Sequence, residues 1–114
     1  MNINLINRLI QLSTPSKISV DWDETGSTDK GHKLIKNLIS RGNTVYIITA
    51  RNSKDGIIKT AKELGIPANR VIATGSNSNK VKKIKELGIK RHYDNNNDVI
   101  KALIGSGTQG ILFK

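Results

Sequence analysis

The sequence predicts an α/β fold, a three-layer sandwich around a five-stranded parallel sheet, and three observations predict it. Short apolar runs alternate with amphipathic segments, so strand and helix follow one another along the chain. The runs are apolar enough to be covered on both faces, as strands of a parallel sheet are. Each of four amphipathic segments stops at a glycine, Gly42, Gly65, Gly88 or Gly105. A chain of 114 residues is expected to form one domain over 1–114, with residues 1–15 as a helical extension and 16–114 as the core.

The elements can be justified in order. Residues 1–15 carry Ile3, Leu5, Ile6, Leu9, Ile10 and Leu12 and read as a helix ending before Pro15, packed on the sheet or presented to a partner. Residues 17–20 form the first strand and lead into DWDET at 21–25. A cap at Thr28 precedes a helix over 33–40, where Leu34, Ile35, Leu38 and Ile39 share a face. The second strand, 44–48, leads into TAR, and a helix over 57–64 ends at Gly65 before Pro67. A third strand at 70–73 runs into TGSNSN, followed by a helix over 81–87. The fourth strand, 90–93, leads into DNNND, followed by a helix over 99–104, and a fifth strand at 110–113 closes the sheet.

Composition narrows the function classes. With one Trp, one Phe and two Tyr, the core must come from aliphatic residues, which seventeen Ile make feasible. Zero Cys excludes a disulfide framework, a thiolate metal site and a thiol nucleophile. No apolar run approaches the roughly 18 to 20 residues of a membrane helix, and no signal-peptide pattern opens the chain, so a cytoplasmic protein without a membrane role is expected. The net charge of +10 would attract a polyanion. Lys82, Lys83, Lys85, Lys90 and Arg91 are its densest cluster, either a solvated face or a track for a phosphate backbone.

The polar residues at the strand ends carry the functional signal. Asp21 and Asp23 follow the first strand, Thr49 the second, and Asp94 the fourth, with Asp98 one helical turn later and Lys80 at the start of the preceding helix. In a parallel sheet all would gather at one edge, where such folds bind ligands. Taken singly, each has a plain structural use: turn acids or caps at Asp21, Asp23, Asp94 and Asp98, a helix cap at Thr49 or Ser53, and a solvated helix face at Lys80. Capping does not require two carboxylates, a hydroxyl and an ammonium on one crevice. Chemistry does. Two carboxylates two residues apart can divide nucleophilic and proton-transfer work, Asp21 with Asp94 can hold Mg²⁺ against a substrate phosphate, and hydroxyl and ammonium complete the phosphate cradle. Without Asp21, Asp23, Asp94 and Asp98 the chain keeps five acids against nineteen bases, a basic body with one acidic spot.

This ordered set resembles the haloacid dehalogenase superfamily of phosphohydrolases: DWDET at 21–25, IITAR at 47–51, Lys80, and YDNNND at 93–98. The resemblance implies that Asp21 is a nucleophile forming an aspartyl-phosphate and that Asp23 protonates the leaving oxygen and later activates water. It further implies that Thr49 and Lys80 bind the phosphoryl group, that Mg²⁺ is held by Asp21, the Asp23 carbonyl and Asp94, and that Asp98 holds Lys80 or a metal-bound water. Arg51 would contact a second phosphate, or would sit on a surface helix start.

The chain departs from the pattern at Glu24, Gly26 and Asn95, and it leaves no room between Thr25 and Thr28, or between Ala73 and Lys80, for a cap domain. A capless site suits a bulky substrate, or needs a neighbouring subunit as lid. With the basic surface, this favours a nucleotide or nucleic-acid phosphate end; the competing reading is a non-catalytic module of the same fold that binds nucleic acid or a protein assembly. Trp22 is expected to point into the core, or else to stack on a base, and His32 and His92 read as ordinary surface and strand residues.

Overall fold

The computed structural model describes residues 15–114; the helix expected over 1–15 lies outside the described residues. Five strands, β1 (Lys17–Val20), β2 (Thr44–Thr49), β3 (Val71–Ala73), β4 (Arg91–Asp94) and β5 (Gln109–Leu112), form one sheet in the order β3-β2-β1-β4-β5. Every neighbouring pair is parallel. Helices α1 (Asp29–Ser40), α2 (Ile58–Leu64), α3 (Asn77–Glu86) and α4 (Asn97–Ala102) connect them, so the five-stranded parallel α/β architecture is the one expected from the sequence.

Strand alternation divides the core into two layers. Ile18, Val20, Val45, Ile47 and Val71 face one side and pack with Ile35 and Leu38 of α1 and Ala61 and Leu64 of α2. Ile48 faces the other and packs with Ile84 of α3 and Val99 of α4. Trp22 is buried in the first layer, stacked on His32 with ring centroids 6.4 Å apart, which settles its orientation in favour of the core.

The strand bounds agree with the sequence reading to within a residue, whereas two helices start a turn early. α1 begins at Asp29, where the Thr28 hydroxyl accepts the Gly31 N–H, and α3 begins at Asn77, where the Ser76 hydroxyl accepts the Asn79 N–H. Those first turns are polar and carry no apolar period to read. Gly65, in the left-handed region at φ 100°, ends α2 as expected.

Between β1 and α1 the chain makes a tight turn over Trp22–Gly26, leaving two residues before the helix, and three residues separate β3 from α3. No cap is inserted at either place. Gly26 is required here: a Cβ would stand 2.8 Å from the Asp21 carbonyl oxygen. Gly31 is tighter still, since its Cβ would fall 1.8 Å from the Thr25 carbonyl oxygen, so α1 packs directly on the turn that presents the acids.

Candidate active site

The chain runs from β1 outward through β2 to β3 and then returns to β4 on the other side of β1. The carboxyl ends of β1 and β4 therefore flank the point where the strand order reverses, the place where open α/β sheets form a ligand crevice. Asp21 leaves β1 there and Asp94 ends β4 there. A pocket of about 180 Å³ opens at that point, lined by Asp21, Asp23, Thr49, Lys80, Asp94 and three asparagines among others. It holds about six water molecules' volume, room for a phosphoryl group and some of its hydration.

Lys80, in the first turn of α3, is buried, and its ammonium donates to Asp21 Oδ1 at 2.8 Å and to Asp94 Oδ2 at 3.1 Å. The two remote carboxylates thus converge on one cation. An ammonium has three N–H bonds, and these two contacts leave one for a ligand. Asp94 is fully buried and accepts two further bonds: Oδ2 also accepts from His92 Nε2 at 2.8 Å, and Oδ1 accepts the Asn96 backbone N–H at 2.9 Å, which leaves one lone pair of Oδ1 open. Asp21 Oδ2 accepts from the Thr25 hydroxyl at 3.2 Å.

The environments push the two carboxyl groups apart in acidity. Burial, reinforced by the neighbouring Asp94 charge, raises Asp21 above the ordinary carboxylate range, against the pull of Lys80. Burial alone would raise Asp94 too, but the His92 hydrogen bond, the Lys80 charge and the Asn96 N–H together hold it below that range. A pair separated in this way suits two different tasks.

His92 is the residue that sequence reasoning missed. It is fully buried, and its Nδ1 lies 2.6 Å from the Ser19 hydroxyl while Nε2 meets Asp94. Since Asp94 accepts, Nε2 carries a proton and donates, while Nδ1 pairs with the Ser19 hydroxyl. The signal was present: His92 and Asp94 are two apart on β4 and so share a face, and Ser19 is the register partner of His92 on β1. Asn77 was missed as well; it lines the pocket three residues before Lys80, hence on the same side of α3.

Thr49 is buried at the end of β2 and lines the pocket; its hydroxyl oxygen accepts the Arg51 N–H at 3.2 Å, leaving its own hydrogen to donate. Neither Thr49 nor Ser53 caps α2, since Ser53 instead accepts the Asp55 N–H. Asp23 lines the pocket but is paired outward: Arg51 donates to it through Nε at 2.9 Å and Nη2 at 2.6 Å, with both side chains about half exposed. Arg51 is therefore turned to Asp23 rather than standing ready for an anion. Glu24, next after Asp23, holds a left-handed φ of 59° and accepts from Asn95 Nδ2 at 2.9 Å.

Asp98 does not hold Lys80, whose ammonium donates to Asp21 and Asp94 instead; it is exposed and lines a groove between α3 and α4 that adjoins the pocket at Asn77. Its neighbour Val99 supplies the buried face of α4, which turns Asp98 about 100° away around the helix.

Among the described residues no group of three or more His, Cys, Asp or Glu side chains forms a cation cage. The donor chemistry still fits a hard cation that keeps its own water. Mg²⁺ is commonly held by one or two carboxylates plus water and phosphate oxygens, and here two carboxylates already point at a common centre. Any such ion shares that centre with the Lys80 ammonium. No helix among the described residues is long and apolar enough to cross a membrane.

No protein-family model matches this sequence, and no curated protein does. Solved structures do resemble its fold. An alcohol dehydrogenase superfamily protein from Novosphingobium aromaticivorans aligns over 95% of this chain with a TM-score of 0.56 and 19% identity. A protein from Vibrio cholerae, provisionally assigned as a 3-deoxy-D-manno-octulosonate 8-phosphate phosphatase, aligns over 83% with a TM-score of 0.50 and 18% identity. The chain spans 32% of the first and 66% of the second, so what it shares with both is the α/β sandwich.

Proposed function

We propose that this chain is a Mg²⁺-dependent phosphomonoester hydrolase working through an aspartyl-phosphate, with a nucleotide or nucleic-acid phosphate end as substrate. The observation that carries the reading is the convergence of Asp21 and Asp94 on Lys80 at the switch point of the sheet, inside a pocket sized for a phosphoryl group. Likeness to a solved structure assigned as a phosphatase supports the same reading. A dinucleotide-binding role, another common use of the crevice in such sheets, fits poorly. The turn after β1 that carries glycines for a pyrophosphate in such sheets carries Asp21, Asp23 and Glu24 here, and these would repel it.

In this mechanism the Asp21 carboxylate forms a bond to phosphorus as the bond from phosphorus to the leaving oxygen breaks. Asp23, released from Arg51 and protonated, gives its proton to that oxygen. Now a carboxylate, Asp23 takes a proton from water as that water attacks phosphorus, the Asp21–phosphorus bond breaks, and inorganic phosphate leaves. Thr49 and the third N–H of Lys80 donate to the equatorial oxygens, where charge is spread in the transition state. Mg²⁺ on Asp21, Asp94 and the Asp23 carbonyl would offset the repulsion between these acids and the phosphate. His92 and Ser19 hold Asp94 in place.

One observation favours the rival, a non-catalytic basic module: every acid of the pocket has a partner within the protein, so the network satisfies itself. Hydrolysis of an aryl phosphate decides between them. It should require Mg²⁺, stop on chelation, and fall at least about 10³-fold in Asp21→Asn, with the circular dichroism spectrum unchanged. Activity surviving in that variant removes Asp21 as nucleophile.

A further inference from the structure

The groove that holds Asp98 has no role in the chemistry above. It lies between α3 and α4, encloses about 420 Å³, and has Val81, Val99 and Ala102 in its apolar lining. Lys82 and Lys85 line it as well, one helical turn apart and exposed. Neither has an ion-pair partner among the described residues, whereas Lys83 between them is 3.4 Å from Glu86. The basic run seen in the sequence is thus divided, and Lys82 and Lys85 are the two of its members that line this groove. Asn77 lines both this groove and the phosphoryl-sized pocket, so the two adjoin at that residue.

We propose that this groove is the leaving-group subsite, and that it takes a nucleotide chain: a base on the apolar lining and the next internucleotide phosphates on Lys82 and Lys85. The inference rests on the phosphatase reading for the position of the scissile phosphate. A group that leaves the pocket past Asn77 meets an apolar surface and two unpaired cations, and 420 Å³ lies within the range of small-molecule sites. A flat ring satisfies the first and a phosphodiester the second. A sugar monophosphate satisfies neither. Asp98 is the one acid in the lining, and it opposes the bound phosphates rather than assisting the reaction.

The test combines binding and turnover on the full chain. Binding of a labelled trinucleotide carrying a 5′- or 3′-terminal phosphate is measured by fluorescence anisotropy in chelator. kcat/KM is measured with Mg²⁺ for the better bound trinucleotide and for an aryl phosphate. Lys82→Ala with Lys85→Ala should weaken trinucleotide binding about tenfold, lower the salt slope by about 1, and leave aryl phosphate turnover unchanged. Asp98→Asn should tighten trinucleotide binding severalfold. Equal trinucleotide binding in wild type and the double lysine variant overturns the groove assignment whatever the activity, as does a parallel fall on both substrates. A loss of aryl phosphate turnover in Asp98→Asn returns that residue to the chemistry. If no variant hydrolyses either substrate yet binding still depends on the two lysines, the phosphatase reading fails and the groove stands as a nucleotide-binding site.

Discussion

Two carboxylate–cation arrangements border the same pocket and differ almost only in solvent. Lys80 with Asp21 and Asp94 is buried, the three side chains being 3%, 7% and 0% exposed. Arg51 with Asp23 has better bidentate geometry but is 43% and 54% exposed. Water screens the second pair, so its formation changes folding free energy little, and it can open at little cost. The first exists in a low-dielectric interior, where losing the ammonium leaves two carboxylates without a counter-charge. The difference fits the tasks proposed for them: the groups that define the pocket are held rigidly, while the acid that must reach a substrate is held loosely.

The strongest way to break this comparison is to remove the buried cation. Lys80→Met leaves two buried carboxylates facing each other and is expected to cost about 3–5 kcal/mol in urea denaturation. Adding Asp21→Asn and Asp94→Asn removes both charges and should recover much of that loss, since neutral side chains of similar shape no longer repel. A small effect of Lys80→Met alone would mean that water enters the network and that the interior is not dry.

The buried network was legible in the sequence to the extent that topology alone dictates it. Asp21 and Asp94 each close a short apolar run, and parallel strands end on the same side, so both are placed at one edge of the sheet by topology, and the pairing of β1 with β4 then brings them together. Lys80 followed from its place at the start of a helix entering that edge. His92 and Ser19 required the β1–β4 pairing, which the order of strands along the chain does not give. The exposure of Asp98 is not legible from its spacing to Asp94, because it is Val99 that fixes which side of α4 faces the sheet. The polar first turns of α1 and α3 stayed hidden because hydroxyl caps at Thr28 and Ser76, not apolar spacing, create them.

Acidification separates the two members of the network by sign. Asp94, held below its ordinary value, contributes stability that is present above about pH 3.8 and is lost as pH falls through its folded value. Asp21 is raised, so its ionisation costs stability, a cost that appears as pH rises from about 3.8 through its folded value. In metal-chelating buffer at pH 7, Asp94→Asn is therefore expected to lose about 1.5–3 kcal/mol with its charge-assisted hydrogen bonds, and the deficit should shrink in strong acid. Asp21→Asn should melt at the wild-type temperature or above it at pH 7, and any gain should vanish below pH 3.8. Thermal melts of the three proteins across pH check both signs; parallel curves would show that the two carboxyl groups share one environment after all.

Arg51→Gln sharpens the comparison from its weak end. The pair it removes is about half exposed, so the urea midpoint should stay close to wild type, and 1 M salt should erase most of any effect because exposed charges are then screened within about 3 Å. The Lys80→Met cost, by contrast, should persist in the same salt. Turnover is the more telling readout. Arg51 engages both oxygens of Asp23, and so fixes where that carboxyl group rests beside the pocket. Because Asp23 must leave Arg51 before it can act, loss of Arg51 should keep kcat/KM for an aryl phosphate at or above the wild-type value while folding is untouched, and a several-fold fall would show instead that Arg51 positions the acid for the reaction. If instead the midpoint drops as far as it does without Lys80, exposure has ceased to be the variable that separates the two arrangements, and the rigid and adjustable halves of the pocket are one unit.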